Sequence, residues 1–122
     1  MRPDEGSIPE SKPDDKTPTS GLKSDQVECV AIDPALFDPY YNGCCNGTFW
    51  PLFHSMPDRA VFSSETYDAY RKINEVFAAK TVVALKRCLE KLDAEGQDEV
   101  APLVWIHDYQ LMLAASMVRR VG

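Results

Sequence analysis

Residues 39–54, PYYNGCCNGTFWPLFH, gather two tyrosines, two asparagines, a tryptophan, two phenylalanines and a histidine into sixteen positions. That density of hydrogen-bonding and aromatic groups exceeds what a core helix needs and suits a wall that holds something polar. Packing is the competing account: an irregular core segment with tyrosine hydroxyls turned to water. A second cluster, His107 and Asp108, follows the apolar run Leu103–Ile106. Asp108 offers two acceptor oxygens on a short side chain, which fits it to bind sugar hydroxyls or to orient a base. Metal chemistry is not indicated. Cys29, Cys44, Cys45 and Cys88 have no paired CxxC spacing and no zinc-type histidine arrangement, and read as reduced, partly buried thiols. No cofactor motif is seen.

Several elements must position these groups. The pairs Asn42-Gly43 and Asn46-Gly47 predict turns with positive φ, so the backbone should bend where the aromatic rings are displayed. Asp33-Pro34 is an N-cap followed by proline at the first helical position, opening a short helix. Pro39 is expected to kink or restart it, with a second helical piece over about 45–53. Residues 55–64 read as a loop, and Ser64 as the N-cap of the next helix. From Glu65 to Leu92, Tyr70, Ile73, Phe77, Ala84, Leu85, Cys88 and Leu92 recur at three- and four-residue intervals, with the charges largely elsewhere, giving the best-defined helix. Two strands are expected. Residues 27–32 form a short edge strand. Residues 100–106 form a strand covered on both faces, as in a parallel sheet, and a helix over 109–120 follows. His107 and Asp108 would then stand at the carboxyl end of a sheet strand, where open α/β folds bind ligands.

The 122 residues amount to one domain's length, and 44% hydrophobic with 26% charged content is globular. A net charge of −6 disfavours broad attraction to nucleic acid or an anionic membrane. No apolar run reaches the ~20 residues that span a bilayer, and the first ten residues lack a signal-peptide core, so the expectation is cytoplasmic. Residues 1–26 carry four prolines and ten charges and read as a disordered or loop segment. Residues 27–122 read as the folded part.

Two blocks carry a resemblance. Tyr40, Tyr41, Asn42, Asn46, Trp50, Pro51, Phe53 and His54 match a YYN...N...WP.FH run. Trp105, His107, Asp108, Tyr109, Leu111 and Met112 match a later W.HDY.LM run. In this order they resemble the amino-terminal half of the trehalose-6-phosphate synthases, retaining glycosyltransferases of family 20, over roughly residues 36–113. The wording GCCNGTFWPLFHSMPDR is similar to the insect and nematode forms. The resemblance implies an α/β fold: a fragment of the acceptor-side Rossmann-like domain of a two-domain GT-B enzyme, mostly helical with a few parallel-type strands. It implies glucose transfer from UDP-glucose to glucose 6-phosphate, giving trehalose 6-phosphate and UDP.

Carried over residue by residue, Tyr41 and Asp108 bind glucose 6-phosphate and Trp50 shapes the acceptor site. The phenol and indole N–H can donate hydrogen bonds while their rings stack on a pyranose. Tyr40, Asn46, His54 and His107 are assigned structural roles. No catalytic residue is expected in the segment, because in the family the leaving diphosphate assists deprotonation on the same face. Gln110 departs from the pattern, standing where many synthases have a second histidine. The family's glycine-containing amino-terminal loop and its nucleotide-binding half have no counterpart here, so the chain alone is expected to be inactive. Self-association into a homo-oligomer is left open. An alternative is a catalytically silent homologue acting as a regulatory or scaffolding subunit. A third reading, a helical interaction module built on 65–92, leaves both blocks unexplained.

Overall fold

Twenty consecutive residues, 34–53, wind as one helical run made of three different helices. It begins at α1, Pro34–Asp38, where the Asp33 carboxylate accepts the Ala35 N–H at 2.9 Å and proline fills the first turn, as the sequence predicts. Pro39 does not break the run, because proline's fixed φ fits the opening turn of the next element. That element is a π-helix, Pro39–Phe49, and it passes directly into α2, Trp50–Phe53. The structure is a computed structural model that describes residues 21–23, 26–97 and 99–121. The stretch expected to be disordered or loop, 1–26, lies almost entirely outside the described residues.

The Asn-Gly turns do not form. Gly43 and Gly47 lie inside the π-helix with no positive φ, and the helix needs them for space instead. A Cβ on Gly43 would sit 2.6 Å from the Thr66 methyl group. The glycine thus lets the π-helix lie against the start of α3. Past α2, Ser55 at φ 61 turns the chain out of the run. A 3-10 turn follows at Pro57–Arg59. Pro51 brings no N–H to the helix, and the Gly47 carbonyl four residues back accepts the Val61 N–H at 2.9 Å. Thr48 Oγ1 donates to the Val61 carbonyl in a short bond, so residues 60–62 are tied to the π-helix.

α3 spans Ser64–Ala94, 31 residues and about 46 Å at 1.5 Å per residue. Its cap is Ser63, one residue before the expected Ser64, with Oγ accepting the Thr66 N–H at 3.3 Å. Gly96 at φ 74 ends it, and the Gln97 N–H returns to Leu92 O at 2.7 Å. Asp68, Arg71, Lys72 and Glu75 pair along its solvent face. The opposite face carries Ala69, Tyr70 and Ile73, which pack with Tyr40, Cys44, Cys45 and Tyr109 into the core. Glu28 bonds Arg87 at 3.1 Å, laying residues 26–33 along the helix.

The expected strands are not formed among the described residues. Residues 27–32 and 100–106 have no ladder partner, and a strand needs one to satisfy its backbone groups. The apolar run that should be covered on both faces is bare: Leu103 is 84% exposed and Trp105 is 74% exposed. The expected helix over 109–120 is shortened for a related reason. Backbone groups of 109–113 bond to buried side chains instead of to each other, and α4 runs only over Ala114–Val121, against α3.

Candidate functional site

Tyr41, Asn46, Trp50, Asp108, Tyr109 and Gln110 line one shallow cleft of about 440 Å³. Three of its residues come from the helical run and three from the turn before α4. The π-helix explains the first set. On an α-helix, residues 41 and 46 would point about 140° apart, at 100° per residue. The wider i→i+5 closure brings them to the same side, and the return to α geometry sets Trp50 beside them. Tyr40 and Cys45, also five apart, are turned together into the core.

The aromatic residues of the cleft are supported from behind. Tyr41 stacks on Phe37 with centroids 5.5 Å apart. Trp50 lies over His54 at 3.6 Å, and His54 Nδ1 is 2.7 Å from the Trp50 carbonyl oxygen. Tyr109 is buried, 6.4 Å from the Trp50 ring and 6.0 Å from Phe53, and its hydroxyl reaches Asn46 Oδ1 at 3.5 Å. Burial raises the Tyr109 phenol above its ordinary value, and the neighbouring Asp108 carboxylate adds to the shift. Tyr109 therefore stays a neutral donor. Asp108 is exposed at the rim with φ 60, in the left-handed region. Its side chain makes no hydrogen bond among the described residues.

The three residues singled out in the sequence, Tyr41, Trp50 and Asp108, are thus brought together. Of the four assigned structural roles, Tyr40 is buried, with its hydroxyl donating to Gln110 O at 3.1 Å. His54 supports Trp50. His107 stacks on Trp105 at 5.3 Å and is not among the residues that line the cleft. Asn46 differs, because it lines the cleft itself. Tyr109 and Gln110 line it too, and the sequence reading did not select them as site residues.

Chemically the cleft offers phenol, indole, amide and carboxylate groups around an open depression, a set suited to a polyhydroxylated ligand with one apolar face. It has no cationic lining residue. Burial holds the two thiols in their protonated form. Burial pushes Cys45 up to about 12, with Cys44 beside it contributing, and raises Cys44 as well. No group of three or more histidine, cysteine, aspartate or glutamate side chains among the described residues is placed to hold a metal. No helix among them is long and apolar enough to cross a membrane.

Residues 5–122 match the family described as Glycosyltransferase family 20. The chain belongs to glycosyltransferase family 20. It is 39% identical over 101 residues to a bifunctional trehalose-6-phosphate synthase/phosphatase of Thermoproteus tenax, covering 83% of this chain and 12% of that protein. It is 41% identical over 90 residues to an alpha,alpha-trehalose-phosphate synthase [UDP-forming] of Aspergillus niger, covering 74% of this chain and 16% of that one. A crystal structure of an alpha,alpha-trehalose-phosphate synthase (UDP-forming) from Burkholderia vietnamiensis superposes with a TM-score of 0.57 at 29% identity, over 75% of this chain and 18% of that chain. The family 20 chain therefore spans less than a fifth of each of these relatives. Its architecture, helical among the described residues, is similar to part of a synthase of known structure.

Proposed function

We propose that this chain is the acceptor-side portion of a trehalose-6-phosphate synthase, in which Tyr41, Trp50 and Asp108 receive glucose 6-phosphate while UDP-glucose is held by a separate nucleotide-binding domain. The observation that carries this reading is the convergence of those three residues, from two distant blocks, on one cleft. Trp50 and Tyr41 offer ring faces and donors to the pyranose, and Asp108 accepts from its hydroxyls. The phosphate needs a cation that this cleft does not supply, which fits an acceptor site completed by other residues of a longer protein. The GT-B architecture supplies such residues, with 100–106 as a sheet strand among partners outside this segment. Residues 27–122 form the acceptor-side part, and residues 1–26 a connecting segment. A cytoplasmic location is part of the same proposal.

The full-length protein, incubated with UDP-glucose and glucose 6-phosphate, is expected to release UDP and form trehalose 6-phosphate in equal amounts. No release at all would replace this reading with that of a silent homologue, and UDP release without dependence on glucose 6-phosphate would replace it with transfer to a different acceptor.

A further inference from the structure

The turn that carries Asp108 is gripped from behind by buried side chains of two other elements. Tyr70, fully buried on α3, donates through Oη to Tyr109 O at 2.8 Å and accepts the Met112 N–H at 2.9 Å. Asn74, one helical turn further and equally buried, accepts the Leu113 N–H through Oδ1 at 3.0 Å. Its Nδ2 donates to Gln110 O at 3.3 Å and to Tyr70 O at 2.8 Å. Tyr40 of the π-helix donates to the same Gln110 oxygen at 3.1 Å. Backbone groups of Tyr109, Gln110, Met112 and Leu113 thus end on side chains far away in sequence.

Packing does not ask for an amide at position 74. Its neighbour Ile73 shows what this face of α3 otherwise buries, and a buried amide costs stability unless its groups are bonded. Asn74 is fully bonded, and two of its three bonds go to the turn. Meanwhile Asp108 holds φ 60, a left-handed conformation that is uncommon for residues with a Cβ, aspartate being among the more tolerant, and that is kept where the surroundings favour it. The residues next to it in sequence are the ones gripped.

We propose that Tyr70 and Asn74 are positioning residues of the acceptor site: they fix the backbone of 109–113 and thereby hold Asp108 in its left-handed pose facing Tyr41 and Trp50. This role rests on the acceptor reading given under Proposed function. Neither side chain lines the cleft, so each acts through the turn. Their loss should therefore weaken acceptor use and leave the donor alone.

The test uses the full-length protein with Tyr70→Phe and Asn74→Leu, each alone and combined with Asp108→Asn. Phenylalanine keeps the ring and deletes the hydroxyl, while leucine keeps the approximate shape and deletes the amide. Either single change is expected to raise KM for glucose 6-phosphate about tenfold, with KM for UDP-glucose within about twofold. On top of Asp108→Asn, each should add less than about twofold, because the group it positions is already altered. Amide exchange at Met112 and Leu113 should speed up in both variants while α3 stays protected. Additive losses in the double variants, equal losses toward both substrates, unchanged exchange at the turn, or unfolding of both single variants would each overturn the proposal. If Asp108→Asn alone leaves glucose 6-phosphate kinetics unchanged while exchange at the turn speeds up, the acceptor reading fails instead and the grip on the turn stands.

Discussion

Trp50 and His54 stack with their ring centroids 3.6 Å apart, and His54 Nδ1 sits 2.7 Å from the carbonyl oxygen of the same tryptophan. A carbonyl only accepts, so Nδ1 carries the proton. The imidazole is thereby fixed one helical turn beyond the indole, and Trp50, 46% exposed, is held as a rigid face of the cleft. His54→Ala should free the indole and raise KM for glucose 6-phosphate about two- to tenfold, the equivalent of the roughly 0.5–1.5 kcal/mol of a ring pair. His54→Phe, which keeps the stack, should recover part of the loss. Unchanged acceptor kinetics in the alanine variant would show that Trp50 needs no such support.

Asp108→Asn keeps size and one acceptor oxygen but removes the charge. In the full-length protein, acceptor use should fall about ten- to a hundredfold, the loss of one charged hydrogen bond at roughly 1.5–3 kcal/mol. UDP-glucose binding, measured separately by calorimetry, should hold within about twofold. Equal losses toward both substrates would point to a folding defect.

What the sequence made legible was local or periodic. The Asp33 cap, the α3 repeat and the two blocks that meet at the cleft could all be read from residue types and intervals. The π-helix could not, because an i→i+5 closure leaves no mark in a pattern read at three- and four-residue intervals, and the Asn-Gly pairs inside it look like turns. Gly43 gave no sign of its role, which depends on Thr66 lying against it. The strand expected over 100–106 does not form, because a strand depends on neighbours and none stands beside these residues among those described. Asn74 did leave a signal. It shares a helix face with Tyr70, Ile73 and Phe77, and a polar residue on such a face must find partners once buried.

Gly43→Ala would place a methyl 2.6 Å from Thr66 Cγ2 and 3.1 Å from Thr66 Cβ. Relief requires Thr66 to rotate, at the loss of its hydrogen bond to Ser63 O, or the helices to part, and a cost of about 1–3 kcal/mol is expected. Thr66→Ser removes the offending methyl and keeps the hydroxyl that donates to Ser63 O. The double variant should therefore regain at least half of the lost stability in chemical denaturation. Additive destabilisation by the two changes would mean that this contact does not set the helix spacing.

Alkaline pH should unfold this core selectively. Burial raises Cys45 from 9.0 to about 12 and Tyr70 from 10.0 to about 12. Both groups are neutral when protonated, and the folded state keeps the proton where the unfolded chain has lost it. The Cys45 contribution is therefore complete below pH 9 and lost between pH 9 and about 12, and the Tyr70 contribution is complete below pH 10 and lost between pH 10 and about 12, each at about 1.4 kcal/mol per pH unit. Cys45→Ala should flatten the part of the decline that begins near pH 9 and leave the tyrosine part, which begins near pH 10. Parallel stability curves for the two proteins over pH 8–11 would show that the thiol is not held neutral by the fold.

The 122-residue chain alone should have no synthase activity even when folded. Glucose transfer requires the donor's anomeric carbon to be held about 3–3.5 Å from the acceptor hydroxyl, positioning that supplies roughly 7–11 kcal/mol of barrier lowering. The cleft offers groups for one sugar in about 440 Å³. None of its lining residues is a cation, so the diphosphate that departs would develop its charge unopposed, and electrostatic stabilisation of that kind is commonly the largest single contribution to a rate. The bare run at Leu103 and Trp105 adds a second obstacle, since an uncovered apolar segment favours association over a defined acceptor pose. The purified chain, incubated with UDP-glucose and glucose 6-phosphate, should release UDP no faster than its Asp108→Ala variant. Turnover above that control would show that acceptor-side groups suffice, and the division of labour between this segment and a donor domain would have to be given up.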